Sequence, residues 1–232
     1  VMLSVCVHMC VHYIVFFFPL LLNLWHQAPS RSLAYHSITS LLLFSLSFIT
    51  FLLIFHPSLS LSLSSLSSLP RSISQTFLFQ LFSPSLHPNL GLVWYLSSEM
   101  FSDFRLFFSF VLQTHLLFIY PLPLSVRFWR EPMLLLFVLL VVVGIFQPYP
   151  TVSGLSYSLS LLCFFGGLIK EMQHKYLLVL VLLVVCVLSP LCWRMWMEES
   201  GNANFFYAVT IVFGVCQMVG VSMLSWKGLE VQ

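Results

Sequence analysis

Charged residues are scarce in this chain. Of its 232 residues only 7% are Asp, Glu, Lys or Arg, while 59% are hydrophobic and the mean hydropathy is +1.00. Soluble domains carry about 25% charged residues, so the composition excludes a water-soluble globule. The net charge of +2 is small and no basic stripe with interleaved aromatic residues is present, which argues against a nucleic-acid partner.

The long apolar runs also lack the apolar–polar alternation of a transmembrane β-barrel. Continuous apolar runs of this kind are typical of membrane-spanning helices. We therefore expect an all-α fold, a polytopic transmembrane helical bundle with about five spans within residues 104–226. We expect these spans to follow an N-terminal segment of 86 low-complexity residues.

Catalytic sequence patterns are missing as well. The chain has no GxSxG, HExxH, P-loop or dinucleotide-binding pattern. Most of its six cysteines lie inside apolar runs, where packing thiols are expected, and Cys192 has no nearby histidine to act as a base. The sequence predicts no catalytic residue, no metal site and no cofactor.

Two acidic pairs are candidate chemical groups. Glu99 and Asp103 lie four residues apart, one helical turn, and could work as acid and base or form an acidic surface. Glu198 and Glu199 resemble the acidic pair of a metal-dependent glycosyltransferase, but adjacent residues on a helix point in different directions. For Glu198 and Glu199 a third ligand is missing, so the signal for a metal site is weak. Glu99 and Asp103 are interpreted as an acidic face on a lumenal loop.

Residues 1–86 differ from the rest of the chain. The run VMLSVCVHMCVH at 1–12 and the run SLSLSLSSLSS at 58–68 are what GT/AT and CT dinucleotide repeats encode. The chain also begins without an initiator Met. We interpret 1–86 as a low-complexity apolar and Ser–Leu segment that translated non-coding DNA could supply. Its best candidate span is 41–55.

From residue 104 onward the apolar runs become orderly. The first contains the polar residues Gln113 and His115, which could serve a function within the membrane or bond to a neighbouring helix. Glycines 166 and 167 in the third would let another helix approach closely. The second and third have about 15 strongly apolar residues each, short of the ~17–25 usual for a span. The five predicted spans are 104–126, 132–146, 155–169, 176–193 and 205–224.

Loop charges predict the orientation of these spans. The connectors 127–131 and 170–175 and the residue Lys227 carry five basic residues, whereas the opposite connectors carry only Arg105 and Arg194. Positive charge is retained on the cytosolic side. The connectors 88–101, 147–154 and 195–204 are therefore expected on the lumenal or external face.

The run GNANFFY at 201–207 is the most suggestive polar motif. Asn202 and Asn204 each supply a hydrogen-bond donor and an acceptor, and the aromatic residues behind them suit the depth of lipid headgroups. The combination could hold a polar headgroup above acyl chains. The alternative is an N-cap followed by an interfacial aromatic belt.

A series of short motifs runs through residues 87–221: PNLGL at 88–92, WY at 94–95, EMF at 99–101, FF at 107–108, YPLPL at 120–124, EP at 131–132, YPTV at 149–152, NFFYA at 204–208, Gly214 and Gln217. With these motifs, residues 87–221 resemble the C-terminal part of the PIG-U family, the U subunit of the glycosylphosphatidylinositol (GPI) transamidase complex. Val93 departs from the family pattern, which usually has an aromatic residue there.

The resemblance implies a multi-pass protein of the endoplasmic reticulum membrane, with a PIG-U-like domain at 87–226 and a divergent tail at 227–232. Such a protein is a non-catalytic subunit that helps bind the GPI lipid for attachment to protein C-termini in the lumen. Its implied partners are the GPI lipid and the other transamidase subunits, one of which, cysteine-protease-like, performs catalysis. The expected GPI-contacting residues are Asn202, Asn204, Phe205, Phe206, Trp94 and Tyr95.

Two other functions stay open. The first motif of the resemblance, PNLGL at 88–92, is also similar to one in GPI mannosyltransferases. A lipid-linked sugar transferase is therefore one alternative. A purely structural subunit that packs against its partners is the other.

Overall fold

The computed structural model describes residues 11–27 and 86–230 together with the single helical positions 38, 41, 42 and 45. Every regular element in these described residues is helical, which confirms the expected all-α class. The candidate span 41–55 lies for the most part outside them. The 3₁₀ turn Val11–Phe16 precedes the first helix. The helices are α1 Phe17–Gln27, α2 Leu92–Glu99, α3 Arg105–Thr114, α4 Pro121–Arg127, α5 Pro132–Phe146, α6 Val152–Leu162, α7 Gly166–Glu171, α8 Lys175–Met197 and α9 Ala203–Glu230.

Four continuous helical stretches are long and apolar enough to cross a membrane. They are Ser102–Arg127, Val152–Glu171, Lys175–Met197 and Ala203–Glu230. Helix α5 has only 15 residues, about 22 Å at 1.5 Å per residue, which is less than the ~30 Å hydrocarbon core. This helix is the second predicted span, 132–146, which was expected to be short. The third predicted span, 155–169, is longer than expected, because the helical stretch runs through a 3₁₀ turn at Cys163–Phe165 into α7.

The chain divides into two compact units. Among the residues that the structure describes, the first contains 11–27 and 106–139, and the second contains 86–105 and 140–230.

In the first unit, a π-helical turn at His115–Ile119 joins α3 to α4. Pro121, which begins α4, has no backbone N–H to continue the α-helical ladder, and the N–H of Tyr120 bonds instead to the carbonyl of His115 at 2.9 Å. His115 Nδ1 lies 2.7 Å from the carbonyl oxygen of Val111. The imidazole therefore bonds within its own helix, while Gln113 is buried.

In the second unit, α8 and α9 form an antiparallel hairpin. The Cys216 thiol of α9 lies 3.4 Å from the carbonyl oxygen of Leu178 near the start of α8. Helix α2 packs on another part of α9, where Gly214 faces Leu92. Buried residues of α9 recur every three or four positions, as a helix packed along its length requires; they include Phe206, Val209, Thr210 and Gly214.

Candidate functional site

The three connectors predicted to share one face meet at one end of the second unit. Asn89 of the first connector donates from Nδ2 to the carbonyl of Pro148 in the second, at 3.2 Å. Trp94 packs on Trp196, which lies in the third, with ring centroids 6.0 Å apart. These contacts bring together the same three connectors that the loop charges place on one face. The compartment that this end faces stays a prediction.

Asn89 organises the entry to α2. Its Oδ1 accepts a hydrogen bond from the N–H of Gly91 at 2.7 Å, and its Nδ2 also donates to the carbonyl of His87 at 3.0 Å. Asparagine favours this local turn because its short amide reaches the backbone two residues on. Gly91 fits tightly beneath it, since a Cβ there would lie 2.6 Å from Asn89 Oδ1 and 2.9 Å from Pro150 Cδ.

Five aromatic side chains gather beyond this turn, and we call them the aromatic cluster: Trp94, Tyr95, Trp196, Phe206 and Tyr207. The Trp94 ring lies 5.3 Å from Phe206 and 5.6 Å from Tyr207, centroid to centroid. Trp196 stacks on Phe206 at 6.0 Å, and Tyr95 meets Tyr207 edge-on at 5.5 Å. These separations lie within the favourable range for aromatic pairs. The cluster binds α2 to both helices of the hairpin.

The turn between α8 and α9 sets the position of Trp196. Glu199 adopts φ 56°, and the N–H groups of Ser200 and Gly201 both bond to the carbonyl of Met195 at 3.0 Å. The N–H of Glu199 also bonds to the carbonyl of Trp196 at 3.2 Å. Together these hydrogen bonds form a Schellman cap at the C-terminus of α8. A glycine usually fills the left-handed position that Glu199 occupies here.

The polar motif opens α9. Asn202 Oδ1 accepts a hydrogen bond from the N–H of Asn204 at 3.2 Å, so Asn202 is an N-cap that satisfies one of the free donors of the first turn. Asn204 is exposed, and Phe205 beside it is 57% exposed. The alternative interpretation of the motif as an N-cap is thus confirmed for Asn202. Any contact with lipid stays a prediction.

The six predicted site residues therefore fall into two groups. Trp94, at 4% exposure, and Phe206, at 2%, are buried in the aromatic cluster, and Tyr95 is half-buried at its edge. Asn202, Asn204 and Phe205 lie on the surface at the start of α9. A ligand at this end could touch the surface group directly, whereas the buried aromatic residues position the helices beneath it.

Sequence reasoning missed two members of the cluster as site residues. Tyr207 belongs to the NFFYA motif and could have been included on that ground. Trp196 lies in the last turn of α8, an apolar helix of 23 residues, and its only sequence signal was the preference of tryptophan for membrane interfaces. Its partners come from segments about 100 residues upstream and about 10 downstream, a pairing that only the fold creates.

The prediction that Glu99 and Asp103 lie one helical turn apart was wrong. Helix α2 ends at Glu99, and Met100 and Phe101 are extended, so Asp103 belongs to a separate 3₁₀ turn.

The other acidic pair is not on a helix either. Glu198 is the C-cap of α8 and bonds to Arg194 Nε at 2.7 Å, while Glu199 is in the left-handed region. Among the residues that the structure describes, no three His, Cys, Asp or Glu side chains gather as a metal would require.

The helices and this end of the second unit define a multi-pass α-helical membrane protein with a polar and aromatic surface at the ends of its long helices. The family described as "GPI transamidase subunit PIG-U" matches residues 1–213. Within that class, the chain therefore belongs to the PIG-U family.

Curated relatives carry corresponding names. The human "GPI-anchor transamidase component PIGU" is 35% identical over 145 residues, which cover 62% of this chain and 33% of the human protein. The Saccharomyces cerevisiae "GPI transamidase component GAB1" is 29% identical over 235 residues, covering 100% of this chain and 56% of the yeast protein. The Schizosaccharomyces pombe "GPI transamidase component GAB1 homolog" is 35% identical over 140 residues, covering 60% of this chain and 34% of that protein. The chain therefore spans about a third to a half of the length of these relatives.

Proposed function

We propose that this chain is a non-catalytic membrane subunit of a GPI transamidase, situated in the endoplasmic reticulum membrane. In this proposal it helps to hold the GPI lipid while the anchor is attached to protein C-termini on the lumenal side. Its partners are the other transamidase subunits, including a separate subunit that performs catalysis. Membership in the PIG-U family is the observation that carries the proposal.

The surface at the start of α9 supports a lipid-holding role. Asn204 offers an amide that can donate to and accept from a glycan or phosphate, and Phe205 exposes its ring one residue later. Together they present hydrogen-bonding and apolar groups side by side, which is the chemistry of a lipid headgroup and its first acyl carbons. Tyr95 at the edge of the aromatic cluster adds a phenol near Tyr207.

A structural role is the second candidate, and the burial of Trp94 and Phe206 favours it. Two of the six predicted contact residues are enclosed by other side chains, so their role in this chain is to hold α2 against the hairpin. A subunit built for assembly would need this rigidity without needing a ligand.

Rescue of anchoring separates these functions. The full chain, or its variant with Asn204→Leu and Phe205→Ala, is expressed in cells that lack their own PIG-U family subunit. Flow cytometry of a GPI-anchored reporter measures function, and co-precipitation of transamidase subunits measures assembly. We expect the parent chain to restore the reporter and the variant to lower it about tenfold, as loss of a hydrogen bond to a charged group does, with assembly unchanged.

Phe164→Ala is the matched control, because Phe164 is also an exposed phenylalanine of the second unit but lies between α6 and α7. It should leave the reporter at the parent level. Loss of co-precipitation in the Asn204 and Phe205 variant would favour the structural role. Failure of the parent chain to restore the reporter would contradict both proposals.

A further inference from the structure

A second polar surface lies at the opposite end of the α8–α9 hairpin. An open cleft of about 370 Å³ lies there between the connector that follows α7 and the last turns of α9. Met172 and Gln173 line one side, and Met223, Trp226, Lys227 and Glu230 line the other. The α9 residues of this cleft lie beyond the family match, which ends at residue 213.

The length of α9 places the cleft at the depth of lipid headgroups. The helix has 28 residues, about 42 Å at 1.5 Å per residue. The hydrocarbon core is ~30 Å thick and takes about 20 residues. Since α9 starts at the aromatic end near one interface, its last two turns extend past the opposite edge of the hydrocarbon. Trp226, which is well exposed there, is the residue type that membrane interfaces favour.

The charged groups of the cleft are held in fixed positions next to each other. Lys227 Nζ donates to Glu230 Oε2 at 2.6 Å, and Trp226 Nε1 donates to Glu230 Oε1 at 2.6 Å. The ammonium carries three donors, and its bond to Glu230 uses one of them. The carboxylate oxygens likewise have further lone pairs. A cation and an anion therefore both face the cleft with capacity to bind a ligand.

We propose that this cleft binds one membrane phospholipid with a zwitterionic headgroup, in which a phosphodiester and an ammonium group are a few atoms apart. Lys227 donates to the phosphodiester, while Glu230 and the ring of Trp226 attract the ammonium group. Carboxylate pairing and cation–π attraction both recognise such a cation. The thioether side chains of Met172 and Met223 contact the glycerol and the first acyl carbons. This site is independent of the proposed GPI-binding surface.

Lipid retention tests the proposal. The full chain is reconstituted into vesicles of equal parts phosphatidylcholine, phosphatidylethanolamine and phosphatidylglycerol, and is then extracted in mild detergent. Native mass spectrometry counts the lipids that stay bound. We expect one retained lipid per chain, of a zwitterionic class. Lys227→Gln should reduce its retention about tenfold, as loss of a charged hydrogen-bond donor does, and Lys227→Arg should preserve it.

Glu230→Gln removes the anion but keeps the shape of the side chain, so it should shift the retained lipid toward phosphatidylglycerol. Lys175→Gln is the control, because Lys175 lies near the same end but donates to the carbonyl of Lys170 at 2.6 Å and does not line the cleft. Retention of phosphatidylglycerol by the parent chain, or equal losses in the Lys175 and Lys227 variants, would overturn the proposal. Circular dichroism of each variant confirms that its helices are intact.

Discussion

Asn89 and Gly91 form a turn that neither residue could make alone. The asparagine amide uses three hydrogen bonds to tie the backbone of residues 87 and 91 to that of residue 148. The bond to Gly91 brings the amide oxygen so close that only a residue without a side chain fits there. The PNLGL motif is thus explained by packing at the start of α2, whatever ligand this end binds.

Gly91→Ala should destabilise the second unit by about 1–3 kcal/mol, the usual cost of overpacking a close contact. The new methyl group would displace Asn89 Oδ1 or Pro150. Thermal unfolding of the purified full chain in detergent measures the effect. Gly144→Ala is the control, since a Cβ at Gly144 meets no described atom within 4 Å. That change should be neutral or stabilise by up to ~1 kcal/mol, and an equal loss in both variants would contradict the role assigned to Gly91.

At the scale of elements, α2 depends on the aromatic cluster. A helix of 8 residues is too short to be stable in isolation. The unfavourable free energy of nucleation exceeds the stabilisation that so few hydrogen bonds provide. Its first turn also has no side-chain cap at Gly91. The large buried surface of Trp94 against Trp196, Phe206 and Tyr207 supplies the missing stability.

Trp94→Ala should therefore cost about 3–5 kcal/mol, the range for truncating a large buried aromatic residue. We expect α2 to detach and the segment 92–101 to become sensitive to protease in the purified full chain. Trp193→Ala provides the comparison, because Trp193 is an exposed tryptophan on the adjacent helix α8 and its loss should change stability by no more than about 0.5 kcal/mol. Similar protease sensitivity in both variants would show that Trp94 does not anchor α2.

At the scale of the whole molecule, orientation in the membrane is the property on which the proposed function depends. The connectors that contact each other around α2 carry few positive charges, while 170–175 and Lys227 carry several. Positive charge resists translocation across the membrane. The aromatic end should therefore face the lumen and the cleft beside Trp226 the cytosol.

Labelling of introduced cysteines tests this orientation. In sealed endoplasmic reticulum microsomes, a membrane-impermeant maleimide should label Gln173→Cys at once and Ser200→Cys only after permeabilisation. The parent chain, with its own cysteines, gives the background. Immediate labelling of Ser200→Cys in sealed microsomes would place the aromatic end in the cytosol and remove the basis for GPI binding there.

Residues 1–86 bear on the identity of the chain as a whole. The family match includes them, and their interpretation as translated non-coding DNA stays a prediction. A transcript that joins a different coding segment directly to His87 would support it, and peptides from 58–71 detected in cells would contradict it.

Much of the architecture could be read from the sequence because hydrophobic length is a local property. Continuous apolar runs specify membrane helices, and the five expected spans correspond to four long helices and the short α5. Their ends were less accurate where the backbone changes type. The 3₁₀ turn that continues span three and the break after Glu99 depend on local geometry that composition does not encode.

The all-α membrane class, the grouping of connectors by charge and the family could be inferred from the residues alone, since each depends on composition or on residues close together in the chain. Which candidate residues are buried and which are exposed became clear only from the three-dimensional fold. Trp94 and Phe206 became internal because α2 folds onto α8 and α9 from a distant part of the chain, whereas Asn204 and Phe205 remained on the surface. Burial depends on what packs against a side chain, and the residues that pack against Trp94 lie about 100 positions further along the chain.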